Sequence, residues 1–145
     1  MRHASQTLVD FLKKAEGCRL TAYQDVAGVW TIGYGHTKSV KAGDRITGYQ
    51  AEQFLRDDLA EFENYVNSKV KNIRTQGQFD AVVDFCYNIG YGVKGFGGST
   101  LKRKIESGAK TADIQREFLR WTWAGGKQSD GLFSRRIWEA ARFLD

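Results

Sequence analysis

Proline is absent from this chain of 145 residues, cysteine and histidine occur twice each, and methionine occurs once. Without proline, and with 41% hydrophobic and 27% charged residues, the composition fits neither a disordered nor a fibrous class. Cys18 and Cys86 form no CxxC pair and no metal-ligand spacing, so they read either as a bridge or as two separate small thiols, and no metal site is expected. No apolar run approaches the roughly 18 residues of a membrane span. Residues 1–16 also lack the apolar stretch of a secretory leader. No repeat, low-complexity tract or Gly/Ser linker divides the chain. A chain of this length buries about two thirds of its unfolded surface, enough for one globular domain without disulfide or metal staples.

Charge is present but unevenly placed. Residues 101–145 carry ten Lys or Arg against six Asp or Glu, whereas residues 1–100 carry twelve against eleven. A basic C-terminal region attracts anionic polymers by long-range steering, an effect that salt weakens. Its ordinary alternative is a solvated helix surface.

The most informative stretch is EGCRLTAYQDVAGVWTIGYGH, Glu16 to His36. Upstream of it, Leu8, Phe11, Leu12 and Ala15 recur at helical spacing with Asp10, Lys13 and Lys14 between them, predicting a short amphipathic helix. Gly17 offers the left-handed conformation that ends helices, which puts Glu16 in the last turn. There the negative end of the helix dipole favours the protonated carboxyl, and burial is expected to act the same way. Thr21–Tyr23 and Val29–Ile32 read as paired strands, with Asp25 to Gly28 supplying the turn. Alternation sends Val29, Thr31 and Gly33 to one face, and Trp30, Ile32 and Tyr34 to the other. Gly33 and Gly35 leave bare backbone on either side of Tyr34, as expected where a chain bends or a ligand approaches. A glutamate, an aspartate and a threonine therefore converge on one region. Taken singly they have ordinary roles, as a solvated acid, a turn that caps its own backbone and a β-former; their joint spacing singles them out.

This stretch resembles the catalytic signature of the phage lysozymes, or endolysins, with Glu16, Asp25 and Thr31 in the positions of the family's Glu/Asp/Thr triad and the TIGYGH run following. QFDAVVDFCYNIG (78–90), GFGGSTLKRKI (95–105) and WAGGKQSDGLFSRR (123–136) resemble later family segments, so the similarity extends from about Phe11 to Arg142. Gly97 and Gly98 loosen the loop before Ser99. The resemblance implies that Glu16 protonates the leaving oxygen, that Asp25 acts as stabilising partner or base, and that Thr31 helps hold the water. It favours inversion; the carboxyl separation that distinguishes inversion from retention is not readable from sequence. The substrate-binding candidates are Tyr34, Asn88, which resembles a cleft amide, and Arg135. His36 is expected to pair with Asp58 on the facing helix rather than to bind metal. No cofactor is required, because two carboxylates and water suffice.

The remainder predicts helices. Capping boxes at Thr47/Gln50 and Thr75/Gln78 start a long helix over about 49–69 and an apolar core helix stopped by Gly90. Ser99 caps a short helix ending near Gly108, and Thr111 starts another that carries Ile114, Phe118, Leu119 and Trp121 and is broken by Gly125 and Gly126. A last helix over about 132–144 is expected to bury Phe133, Ile137, Trp138, Ala141 and Phe143 and to turn Arg135 and Arg136 outward or against the loop. These aromatics recur at core spacing, which argues against sugar platforms and against nucleic-acid binding.

The expected architecture is α+β, mostly α: a lysozyme-like, two-lobed single domain with substrate between the lobes. The N-terminal lobe, with a β-hairpin sheet, spans about 12–60, the linking helix about 49–69, and the helical lobe about 70–145 together with the N-terminal helix. The resemblance implies a monomeric muramidase that cleaves peptidoglycan glycan strands between N-acetylmuramic acid and N-acetylglucosamine. Such an enzyme is made in the host cytoplasm and acts in the periplasm or cell wall. Its release is expected through a holin-type lesion if the chain is complete, or through a removed anchor or signal if it is not. A lytic transglycosylase, which needs one acid only, and a non-catalytic wall-binding module are the rival readings.

Overall fold

Helix α1 (Gln6–Glu16) begins where the Ser5 hydroxyl accepts the Leu8 amide and ends at Gly17, whose amide donates to the Lys13 carbonyl at 3.1 Å. Gly17 has φ 69° and ψ 163°, a positive-φ extended conformation accessible to glycine rather than the left-handed helical one expected. Leu8, Val9 and Leu12 are wholly buried, and Lys13 and Lys14 complement the negative end of the helix. The computed structural model describes every residue, Met1–Asp145. It divides into two compact units, Ser5–Glu61 and Phe62–Asp145 with Met1–Ala4. Helix α1 belongs to the first unit, whereas the sequence reading groups it with the helical lobe.

In that first unit, strands β1 (Arg19–Gln24) and β2 (Trp30–Gly33) form an antiparallel hairpin with an irregularity between Arg19 and Tyr23. The segment 44–46 extends it through Ala22 N–H to Asp44 O and Ile46 N–H to Leu20 O, 2.9 Å each. Both faces of β2 are covered: Thr31, Ile32 and Gly33 are all buried, so alternation does not separate a wet face from a dry one. The Thr47/Gln50 capping box opens α2 (Gly48–Lys69), with Thr47 N–H to Gln50 Oε1 at 2.9 Å and Gln50 N–H to Thr47 Oγ1 at 3.1 Å. Lys13 pairs with Glu52, and Arg56 donates to Gln6 at 2.7 Å, so polar contacts join α1 to the start of α2. His36 Nδ1 lies 2.9 Å from Asp58 Oδ2 and its ring stacks on Phe54 at 4.2 Å, the expected pair.

The second unit is helical. Its centre is α3 (Gln76–Ile89), which carries the Thr75/Gln78 capping box and is buried continuously from Phe79 to Cys86. A short 3₁₀ turn (Phe96–Gly98), α4 (Thr100–Ser107), α5 (Thr111–Phe118) and α6 (Asp130–Arg142) complete it. Phe85 meets Phe96, Phe118 and Trp121 at ring-centroid distances of 5.9, 5.8 and 5.4 Å, edge to face. Gly77 lets the start of α3 approach the end of α6: a Cβ there would lie 2.3 Å from the Arg142 carbonyl oxygen. The loop before Ser99 is packed rather than loose, since a Cβ on Gly97 would lie 2.5 Å from Tyr91 O and one on Gly98 2.0 Å from Val93 O.

Three sequence expectations fail here. Helix α5 ends at Phe118, and Gly125 and Gly126 do not break a helix but turn a hairpin, β3 (Trp123–Ala124) with β4 (Lys127–Gln128). Both glycines have positive φ, 58° and 79°, which a two-residue hairpin loop requires. Phe133, Ile137 and Ala141 lie on the exposed side of α6, the first two at 43% and 45% exposure. Arg135 and Arg136, expected outward or against the loop, instead turn onto α3, Arg136 fully buried and Arg135 paired with Asp84, because this is the face that meets α3.

Candidate active site

The hairpin unit carries Glu16, Asp25, Thr31 and Tyr34. Glu16, the last residue of α1, is exposed rather than buried, as are its neighbours Lys14, Ala15 and Gly17. Gly35 faces it: a Cβ built there would lie 3.9 Å from Glu16 Oε2. A bare backbone in TIGYGH therefore borders the carboxylate, and the local sequence places these two elements together through one hairpin.

Asp25 and Thr31 are organised around Val29. Asp25 Oδ1 accepts the amides of Ala27 and Val29, both at 2.9 Å, while the Asp25 amide donates to the Val29 carbonyl at 2.9 Å. Thr31 Oγ1 donates to that same carbonyl at 2.9 Å. The aspartate thus caps its own turn, as its residue type predicts, yet with one oxygen only; Oδ2 makes no hydrogen bond within the protein. Thr31 is 4% exposed and sits opposite Tyr23 in the hairpin register. The bond to Val29 consumes its proton, so its lone pairs remain for a donor.

Tyr34 is half-buried. Burial first, then the neighbouring Cys18 thiol, raises its phenol above the ordinary value. Both cysteines are free; Cys18 is exposed, and Cys86 is buried in α3, where burial pushes its thiol far up.

The other two candidates stand in the helical unit. Arg135 binds Asp84 in two-pronged fashion, Nε to Oδ2 at 3.0 Å and Nη2 to Oδ1 at 2.9 Å, so its guanidinium braces α6 on α3. Asn88 is half-buried near the end of α3, and its Oδ1 accepts from Arg136 Nη2 at 2.7 Å. Sequence reasoning missed this polar interior: Asp80 and Asp84 are fully buried, and Arg142 reaches Asp80 at 2.7 Å. The available signal was two acids four residues apart within an otherwise apolar helix face, a pattern that requires buried cations opposite. No group of three or more His, Cys, Asp or Glu side chains stands close enough together to hold a metal ion.

Residues 13–139 match the Phage lysozyme family model. The chain is 41% identical over 145 residues to an endolysin of Acyrthosiphon pisum secondary endosymbiont phage 1, with 97% of each chain covered. It is 44% identical over 142 residues to an endolysin of Bacillus phage PZA, covering 96% of this chain and 54% of that one, so it spans about half of that relative's length. Among solved structures, a mutant of P22 lysozyme superposes with a TM-score of 0.89 at 37% identity, with 100% of both chains covered. The α+β, mostly helical architecture is accordingly the lysozyme fold. A family match that runs through α1, the hairpin and α3 to α6 means that this chain belongs to the phage lysozyme family.

Proposed function

We propose that the chain is an endolysin, a muramidase that hydrolyses the β-1,4 bond between N-acetylmuramic acid and N-acetylglucosamine in peptidoglycan and thereby lyses the host cell. The observation that carries this reading is the pairing of Asp25 and Thr31 through Val29, on the hairpin that also brings Gly35 to Glu16. Glu16 acts as the acid, protonating the glycosidic oxygen as the bond breaks. Asp25 serves through Oδ2, the oxygen not spent on the turn, to stabilise the sugar cation or take a proton from water. Thr31, whose own proton is given to Val29, accepts a hydrogen bond from that water's second O–H, so the water's oxygen is aimed rather than merely bound. Tyr34, Asn88 and Arg135 are proposed to bind substrate, Arg135 through whatever donor capacity its pairing with Asp84 leaves.

The cell wall as the site of action agrees with family membership. No helix of the chain is long and apolar enough to cross a membrane. We propose that the enzyme is made in the host cytoplasm, is released by a holin and works as a monomer. The net charge of +5 favours its encounter with an anionic wall.

Digestion of purified peptidoglycan by the wild type and by Glu16→Gln tests the reaction. New reducing ends are expected from the wild type, with a rate about 10²–10⁴ lower in the variant. Anhydro ends in place of reducing ends assign the chain to the transglycosylases, and no release of fragments leaves a binding module.

A further inference from the structure

Arg136 lies on the face of α6 that meets α3, but the packing of that face does not by itself require a charged side chain there. It is wholly buried, as is its partner Glu139 three residues on in the same helix. Nη2 donates to Glu139 Oε2 at 3.0 Å, Nε lies 2.7 Å from Glu139 Oε1, and the guanidinium stands over the Phe85 ring at 4.9 Å. Its hydrogen bond outside α6 goes to one acceptor, Asn88 Oδ1, at 2.7 Å. Two other ion pairs, Arg135 with Asp84 and Arg142 with Asp80, already fasten α6 to α3. A third buried cation adds a large desolvation cost that an apolar side chain of similar volume would avoid. Burial lowers the Arg136 pKa. Burial and then a hydrogen bond to Asp84 raise that of Glu139. Asn88, by contrast, is half-buried, and its Nδ2 makes no hydrogen bond within the protein.

From this geometry we propose that Arg136 is a positioning residue that locks the Asn88 amide with its oxygen inward and its NH₂ outward, so that Asn88 meets the glycan only as a donor to an acceptor oxygen. The argument is one of hydrogen-bond inventory. A guanidinium has donors and no acceptor, so the atom that faces it must be the amide oxygen. Rotating the amide by half a turn would set N–H against N–H in a buried site, leaving donors on both sides unpaired. Glu139 and Phe85 hold the guanidinium so that it cannot withdraw. Asn88 would otherwise offer a donor or an acceptor equally well; Arg136 removes that ambiguity before substrate arrives.

This inference rests on the proposed contact between Asn88 and the glycan, and its test is kept separate from turnover. Affinity for soluble, uncrosslinked peptidoglycan strands is measured in the Glu16→Gln protein, with and without Asn88→Asp. That second change keeps an oxygen for Arg136 and replaces the outward NH₂ by an oxygen. The expected result is an unchanged or higher melting temperature and binding weakened about tenfold or more, the effect of one lost donor with an acceptor left in its place. Unchanged affinity overturns the proposal, and so does a melting temperature that falls as far as in Asn88→Ala, because the inward oxygen would then not be what Arg136 holds. Arg136→Met supplies the second arm: it should weaken binding when Asn88 is present and have no further effect in Asn88→Ala, whereas equal losses in both backgrounds overturn the proposal. If wild type releases no reducing ends, the hydrolase reading fails independently of these affinities.

Discussion

The hairpin unit and the helical unit hold their candidate functional groups in opposite ways. Asp25 and Thr31 are fixed by backbone groups two to four residues away, in a turn that is largely exposed. Arg135 and Asn88 are fixed by side chains 51 and 48 residues away, through charges removed from water. The first arrangement confines the consequences of changing a side chain to the turn. The second couples each group to the stability of the unit that carries it. The carboxylate proposed to react, Asp25, keeps one oxygen clear of its turn, whereas Asp84 and Asp80 are spent on arginines.

Substitutions that exchange these two kinds of support test the contrast, beginning with the largest effect. Asp84→Leu removes the partner of Arg135 and leaves a mostly buried cation, which should cost about 3–5 kcal/mol of unfolding free energy in urea titration. A loss below about 1 kcal/mol would mean that the pair contributes no more than a surface contact. Glu139→Gln should act through pH. Because burial and the bond to Asp84 raise the folded pKa of Glu139, the acid form is the one the fold prefers. Its stabilisation is complete below the ordinary glutamate range and is lost as pH rises through the folded value. Urea midpoints of the wild type should therefore fall with rising pH more steeply than those of Glu139→Gln, with Asp84, Arg135 and Arg136 present around the site in both; parallel curves would contradict this. Asp25→Asn should have the smallest effect on stability, within about 0.5 kcal/mol, since the amide oxygen still caps Ala27 and Val29. It should nonetheless abolish most peptidoglycan hydrolysis. A cost comparable to Asp84→Leu would erase the distinction between the units.

The same distinction explains what could be read in advance. The end of α1 at Gly17, the Asp25 turn, and the capping boxes at Thr47 and Thr75 all depend on contacts within a few residues, and each is recognisable as a short pattern. The exposure of Phe133 and Ile137 and the burial of Arg136 depend on which face of α6 meets α3, and periodicity alone does not supply that. The β3–β4 hairpin has strands of two residues each, too short for alternation to register, so in sequence its two glycines read as a helix stop. The exposure of Glu16 escapes local patterns for a related reason: the spacing of Leu8 and Leu12 locates the apolar stripe but not how far its protection reaches toward the last turn. The His36–Asp58 pair came from the family resemblance, and the separation of 22 residues lies beyond any local rule.

The Gly95–Gly98 loop bears on how this enzyme tolerates change. Its residues lie between a helix end and a helix cap, where engineers commonly insert tags or diversify surface positions. With the Val93 carbonyl only 2.0 Å from where a methyl at position 98 would sit, a randomised library at that site should return glycine almost alone among folded clones, and the more permissive entry point is Val93 itself, 87% exposed on the outer side of the same turn.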